Sequence, residues 1–93
     1  MYMILVYDIK LDDKSGARVL RRVFKTCKKY LTHIQNSVFE GELSESQFLE
    51  LKSEIKKYLR ENQDSCIVFK GRNTRWMEKE FVVREENKVT QFL

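Results

Sequence analysis

The stretch MYMILVYD, residues 1–8, decides how the rest of the chain must fold. Seven consecutive, largely apolar residues carry no side-chain charge, and the run stops at Asp8. Such a run predicts a strand that is buried on both faces and whose last residue reaches the protein surface. We therefore expect the downstream elements to cover this strand. Because a rigid sheet would hold the carboxylate while one side stays open, Asp8 is the first candidate for chemistry.

A loop and an amphipathic helix are predicted next. Residues 9–16 contain the turn-forming Asp12, Asp13, Ser15 and Gly16, which predict a loop at the end of the first strand. From Ala17 onward, apolar residues recur at helical spacing, which predicts a helix lying on the sheet. These residues are Val19, Leu20, Val23, Phe24, Cys27, Tyr30 and Leu31.

The polar face of this helix is unusually basic. No acidic residue occurs between Lys14 and Leu31, although an exposed helix normally mixes charges at positions i and i+4. An unpaired basic face, together with a net charge of +4, favours a polyanionic partner that is bound through its phosphates. The alternative is a solubilising face whose arginine stems cover apolar surface. The cations are Arg18, Arg21, Arg22, Lys25, Lys28 and Lys29, and Lys14 precedes them in the loop.

The second half of the chain predicts two short extended segments and another helix. Residues 32–39 are expected to be extended, with Asn36 at a bulge or a bend. Ser44 and Gln47 have the spacing of a capping box, which predicts that a helix begins after Ser44. Residues 66–69 then predict a short buried strand.

The C-terminal part is less regular. Residues 70–74 predict a loop, and residues 75–83 alternate well enough for a further strand. Residues 84–93 end in an apolar group that we expect to dock on the chain's own sheet or on a partner.

This order of elements predicts a single α+β domain over residues 1–93, with its core in residues 1–83. The expected architecture is a ferredoxin-like sandwich, in which an antiparallel sheet carries two helices on one face. A chain of 93 residues has a thin core, which a second copy would help to cover. Neither a membrane span nor a secretory signal is predicted. Two cysteines, Cys27 and Cys66, are expected on apolar faces as thiols, which suits a cytoplasmic location.

Asp8 fits the chemistry of a magnesium ligand. Mg²⁺ takes one or two carboxylates and completes its coordination with water and phosphate oxygens, so a second Asp8 in a twofold dimer could complete the site. The alternative is that Asp8 caps the loop by accepting a backbone N–H. Asp12 and Asp13 are weaker candidates, and His33, the only histidine, is expected to be structural.

Four stretches resemble one known family. They are MYMILVYDI (residues 1–9), KTCKKYL (25–31), IQNSVFEGELSE (34–45) and DSCIVFK (64–70). In this order, they resemble the small CRISPR-associated protein of the spacer-acquisition machinery, which is the partner of the CRISPR integrase. The resemblance covers roughly residues 1–70, and QNSVFEG is its most specific part.

The resemblance implies a ferredoxin-like protomer in a symmetric homodimer, with the C-terminal strand often added to the neighbour's sheet. It also implies a metal-dependent endonuclease that uses Mg²⁺ or Mn²⁺ on single-stranded RNA or double-stranded DNA, or a scaffold that holds duplex DNA beside the integrase. The metal-binding aspartate of the family matches Asp8, and the basic position at the start of the first helix matches Arg18. Tyr7, Ser37 and Phe39 match residues that line the site.

The sequence therefore predicts Asp8 as the catalytic and metal-binding residue. The residues expected to contact nucleic acid are Arg18, Arg21, Arg22, Lys25 and Lys14. Two alternatives remain open, a non-catalytic scaffold and a regulatory or toxin-like module that binds only protein.

Overall fold

The computed structural model describes residues 1–72 and 78–83. Its strands form one antiparallel sheet with the order β2-β3-β1-β4, so that β1 lies between β3 and β4. Both helices contribute to a single core on one face of this sheet, which confirms the predicted α+β, ferredoxin-like sandwich. The elements are β1 (Tyr2–Asp8), α1 (Lys14–Tyr30), β2 (Thr32–Gln35), β3 (Val38–Glu42), α2 (Glu45–Tyr58) and β4 (Ser65–Gly71).

The central strand β1 is buried on one face only. Met3, Leu5 and Tyr7 are buried and pack with residues of both helices. The alternate residues Ile4 and Val6 are half-buried on the opposite face of the sheet. The prediction of a strand buried on both faces is therefore wrong, because both helices lie on the same side. We call the opposite side the open face.

Helix α1 begins three residues earlier than predicted. Asp13 caps its N-terminus by accepting a hydrogen bond from the backbone N–H of Gly16 at 2.8 Å. The helix therefore starts at Lys14, and its first turn contains residues that the sequence pattern assigned to the loop. The hydrogen bonds of the cap outweigh the turn preference of these residues.

Two local predictions are confirmed. Residues 32–42 form a hairpin that turns at Asn36 and Ser37, and Asn36 has a φ of 40°. The capping box of α2 is complete, since Ser44 Oγ accepts from the Gln47 N–H and the Gln47 side chain accepts from the Ser44 N–H.

Strand β4 is half-exposed rather than buried. It extends over Ser65–Gly71, and its residues Ile67 and Phe69 lie on the open face with 55% and 54% of their surface exposed. Residues 78–83 contain no strand, in contrast to the prediction. Three further predictions lie outside the described residues. They concern residues 75–77 of that predicted strand, which include Trp76, residues 73 and 74 of the predicted loop, and the docking of residues 84–93.

Gly16 allows the loop after β1 to contact α1 closely. A Cβ atom at this position would lie 2.1 Å from the carbonyl oxygen of Lys10 and 3.1 Å from Cα of Leu11. Both are backbone atoms, which cannot move aside as the end of a side chain can. The absence of a Cβ at residue 16 thus fixes the loop against the first turn of the helix.

We predict that Gly16→Ala destabilises the fold by about 2 kcal/mol, because overpacking outweighs the roughly 1 kcal/mol that alanine contributes in a helix. Urea unfolding measures this free energy. Gly41→Ala is the matched control, since its Cβ would meet the end of the Leu31 side chain at 3.0 Å. A Gly16→Ala protein that is as stable as the wild type would show that the loop can move away.

Candidate metal centre and nucleic-acid interface

Asp8 lies at the end of β1 on the open face. Its side chain follows the alternation of β1, and its backbone pairs with Ser65 of β4. The pairing of β1 with β3 ends earlier, at Val6 and Val38. Asp8 is exposed, and its carboxylate makes no hydrogen bond or ion pair within residues 1–72 and 78–83. The carboxylate is therefore available to a ligand.

A shallow depression of about 210 Å³ surrounds Asp8 and is bordered by Tyr7, Asn36, Ser37 and residues of the β1–α1 side. Ser37, which the sequence predicted to line the site, borders this depression together with Asp8. Phe39 does not line this depression, because it is fully buried and packs against Tyr7 with ring centroids 6.0 Å apart. Tyr7 likewise points its ring into the core, and burial raises the pKa of its hydroxyl well above the usual value.

The alternative role of Asp8 as a loop cap is taken by other carboxylates. Asp13 accepts from the N–H of Gly16, and Asp64 accepts from the N–H of Lys10 at 3.1 Å. The hydrogen bond from Ser15, followed by that from Gly16, lowers the pKa of Asp13. The loop is thus capped at both ends without Asp8.

Arg60 and Asp64 form an ion pair beside this loop that sequence reasoning missed. The Arg60 Nε donates to Asp64 Oδ2 at 2.9 Å, and the Asp64 side chain has no exposed surface. The hydrogen bonds from Arg60 lower the pKa of Asp64 to about 2. Since this is below the unfolded value, the pair stabilises the fold above about pH 4, and its contribution is lost as the pH falls through 2. The only sequence signal was an arginine and an aspartate four residues apart.

Four of the predicted cations line one cleft between α1 and α2. Arg18, Arg22 and Lys25 follow one another at helical spacing, and Arg21 joins them. The cleft has a volume of about 570 Å³, and we call it the basic cleft. None of these four side chains forms an ion pair with any residue that the structure describes. Lys14 is exposed in the first turn of α1 and does not line the basic cleft.

Two further residues shape the basic cleft. The Arg22 guanidinium lies over the ring of Tyr58, 5.5 Å from its centroid. Lys29 borders the cleft but donates to Glu54 of α2 at 2.8 Å, so its charge is balanced. Tyr58 is not among the residues that the sequence predicted to contact nucleic acid, and only its aromatic character and its position near the helix end hint at this role.

The open face also carries a polar group at its other end. Glu40 accepts hydrogen bonds from Tyr2 and from Lys79, which ties residues 78–83 to the sheet. Burial opposes the ionised form of Glu40, but these two hydrogen bonds outweigh it and lower its pKa. Residues 79–83 border a cavity with Ile4 and Val38. An apolar strip on the open face leads to Asp8. It consists of Val6, Ile67 and Phe69, which do not border that cavity.

His33 packs between aromatic side chains. Its ring lies 4.8 Å from those of Phe24 and Phe39, and its Nε2 lies 2.8 Å from the carbonyl oxygen of Asn36. These contacts place His33 in the hairpin, and it does not line the depression around Asp8.

A hard divalent cation fits Asp8 only in part. A carboxylate oxygen is the ligand type that Mg²⁺ and Mn²⁺ take, and the exposed position leaves room for water. However, no group of three His, Cys, Asp or Glu side chains is found among the described residues. Within residues 1–72 and 78–83, Asp8 is the one carboxylate that borders this depression, so water, phosphate oxygens or further side chains would have to complete the coordination.

Comparison with known proteins identifies the family. The family described as CRISPR associated protein Cas2 matches residues 1–79. The chain belongs to the Cas2 family. This confirms the resemblance that was based on the YDI and QNSVFEG stretches.

Two Cas2 relatives match along the whole chain. A protein of Fusobacterium nucleatum is 57% identical over 93 residues, which are all of this chain and 87% of the relative. A protein of Dictyoglomus turgidum is 41% identical over 93 residues, which cover both chains completely. Both are named CRISPR-associated endoribonuclease Cas2, so the predicted nuclease class is confirmed for the family.

Solved Cas2 structures share the fold. The crystal structure of Streptococcus pyogenes Cas2 superposes with a TM-score of 0.75 at 28% identity, covering 87% of this chain and 99% of that one.

None of the helices in residues 1–72 and 78–83 has the length and hydropathy needed to cross a membrane.

Proposed function

We propose that this protein is a homodimeric CRISPR adaptation protein that binds duplex DNA and hydrolyses phosphodiester bonds with Mg²⁺ or Mn²⁺. The observation that carries the proposal is the Asp8 carboxylate, which has no hydrogen bond or ion pair within residues 1–72 and 78–83 and lies at the end of an apolar strip on the open face. A second copy that covers this strip would place its own Asp8 near the first. The names of the relatives favour RNA as the substrate that is cut.

In this proposal, the residues of the chain hold and orient the substrate. The two Asp8 carboxylates would hold the cation, and such a cation would supply Lewis-acid activation of the scissile phosphate and of water. Within the described residues, no side chain in the depression around Asp8 is suited to act as a general base. Asp8 therefore contributes as a ligand, and Ser37 can donate a hydrogen bond to a phosphate oxygen at the rim.

The basic cleft binds the DNA backbone. Arg18, Arg21, Arg22 and Lys25 present unpaired cations, and guanidinium groups match phosphate oxygens well. Such contacts carry little sequence information and become weaker with salt. The proposed protein partner is the CRISPR integrase, with which the dimer would hold a duplex in the cytoplasm.

A scaffold without nuclease activity is the second candidate. This candidate is favoured because the basic cleft and the depression around Asp8 share no lining residue. Different side chains would therefore hold a duplex in the cleft and a strand at Asp8. The third candidate, a module that binds only protein, requires that no nucleic acid binds at low salt.

We predict that Asp8→Asn lowers the Mg²⁺-dependent cleavage of single-stranded RNA at least about 100-fold, because a metal ligand matters at least as much as its supporting residues. Duplex affinity should stay within about twofold, since the basic cleft is untouched. Gel-based cleavage and fluorescence anisotropy measure the two effects. Asp12→Asn, the same chemical change four residues away, is the matched control. Equal cleavage by wild type and Asp8→Asn would exclude this mechanism, and duplex binding without any cleavage would favour the scaffold.

We predict that replacing Arg18, Arg21 and Arg22 together by alanine weakens duplex binding and reduces the slope of log K against log salt by about 2 to 3 per protomer, since each lost phosphate contact accounts for about 0.9. Anisotropy titrations at several salt concentrations give this slope. Replacing Lys52, Lys56 and Lys57 of α2 removes the same charge from a helix face that also carries glutamates. An equal change of slope in both variants would mean that only net charge matters.

We predict that Ile67→Lys weakens the homodimer at least about 100-fold, because it places a charge in the apolar strip. Sedimentation equilibrium measures the dimer dissociation constant. Leu49→Lys is the matched control, since Leu49 on α2 is also 55% exposed but does not belong to the open face. A wild-type protein that is monomeric at micromolar concentration would contradict the dimer, and with it the paired Asp8 site.

A further inference from the structure

The backbone that follows Asp8 is held by two residues of the segment that connects α2 to β4. The N–H of Lys10 donates to Asp64 Oδ1 at 3.1 Å, and the carbonyl oxygen of Lys10 accepts from Arg60 Nη2 at 2.7 Å. Both backbone hydrogen-bonding groups of the residue two positions after Asp8 are thus bound by one ion pair.

This ion pair is itself rigidly built. Asp64 Oδ2 accepts from the backbone N–H of Arg60 at 2.8 Å and from its Nε at 2.9 Å, while Oδ1 accepts from Nη2 at 3.0 Å. The Asp64 side chain has no exposed surface, and 18% of the Arg60 side chain is exposed. A two-point arginine–carboxylate pair in such surroundings has a defined geometry, in contrast to an exposed lysine pair.

Arg60 also reaches the start of α1. Its Nη1 donates to Ser15 Oγ at 2.8 Å and to Asp13 Oδ1 at 3.3 Å. The Arg60 guanidinium therefore connects its own segment, directly after the C-cap of α2, to two other parts of the chain. These are the backbone that follows β1 and the N-terminal cap of α1. The close contact between Gly16 and Lys10 adds steric support to the same loop.

Asp8 depends on this support because, among the described residues, no residue of β3 pairs with it. Pairing with β3 ends at Val6, and the next contact on that side is the hydrogen bond from the Tyr7 N–H to Ser37 at 3.2 Å. Asp8 keeps only its pairing with Ser65, the residue directly after Asp64. The ion pair between Lys10 and Asp12 within the loop is 3.7 Å long and exposed, and such pairs contribute at most about 1 kcal/mol.

We propose that Arg60 and Asp64 are a positioning pair that fixes the Asp8 carboxylate for metal binding. The pair does not touch the metal and acts through the backbone of Lys10. This inference rests on the proposed function, because it concerns Asp8 as a ligand. A metal shared by two protomers needs each carboxylate within about 0.5 Å of its place, so loosening residues 9 and 10 would weaken binding.

The test compares Asp64→Asn and Arg60→Lys with wild type, Asp8→Asn and a control. Arg60→Lys retains the charge but cannot reach Asp64, Lys10 and Ser15 together, and it remains useful if Asp64→Asn fails to fold. The control is Ser44→Ala, which removes the N-cap at the opposite end of α2 and costs about 1 kcal/mol of stability without affecting the loop. All proteins are measured under conditions where they are folded.

Two readouts are independent of catalysis. Binding of Mn²⁺, followed by electron paramagnetic resonance, should become at least about tenfold weaker in both positioning variants and stay unchanged in Ser44→Ala. The NMR order parameters of the amides of residues 8–10 should fall from the rigid range near 0.85 toward 0.6. In addition, the Mg²⁺ concentration for half-maximal RNA cleavage should rise, and excess Mg²⁺ should restore the rate.

The outcomes separate the two proposals. If wild type binds Mn²⁺ and Asp8→Asn does not, but both positioning variants bind as tightly as wild type, the positioning role is wrong and Asp8 remains the ligand. Unchanged order parameters at residues 8–10 would also contradict it. If wild type and Asp8→Asn bind Mn²⁺ equally, the proposed metal site itself fails, and the positioning role fails with it.

Discussion

The burial of one side of β1 is the constraint on which the rest of the structure depends. Met3, Leu5 and Tyr7 are covered by both helices, and burial of such side chains contributes roughly 2 kcal/mol each. A shift of one residue would exchange the two faces of the strand and place Asp8 under the helices. A buried carboxylate without a partner is so costly that core packing itself excludes this register. Hydrophobic burial therefore determines that Asp8 faces outward.

The elements could be predicted where the signal is local. Helical spacing of apolar residues located α1, and the Ser44–Gln47 capping box located the start of α2. The start of α1 was missed because Asp13 and Gly16 are turn-formers in isolation, and only the hydrogen bond between them makes them a helix start. The exposure of Ile67 could not be predicted, since an apolar run does not reveal whether one or two layers cover a sheet.

The candidate site was predictable in part for the same reason. Asp8 ends an apolar run, and the cations of α1 share one helix, so both are visible in the sequence. By contrast, Arg60 and Asp64 contact Lys10 across 50 or more residues, and no periodicity encodes that contact. Tyr58 reaches the basic cleft only because α2 packs on α1. The residues proposed to bind metal or phosphate are marked by a local sequence pattern, whereas the residues that support them are not.

The placement of the two sites explains how binding and cleavage can be separate. Arg18 and Arg22, like Arg21 and Lys25, are like-charged pairs at i and i+4, and each pair costs a few tenths of a kcal/mol until an anion neutralises it. This cost lies on the helix side of the sheet, whereas Asp8 lies on the open face. In the proposed dimer, the open faces meet and the basic clefts point away from each other. The clefts and the depressions around the paired Asp8 residues share no lining residue, so binding of a duplex and cleavage of a strand would depend on different side chains of the same protein.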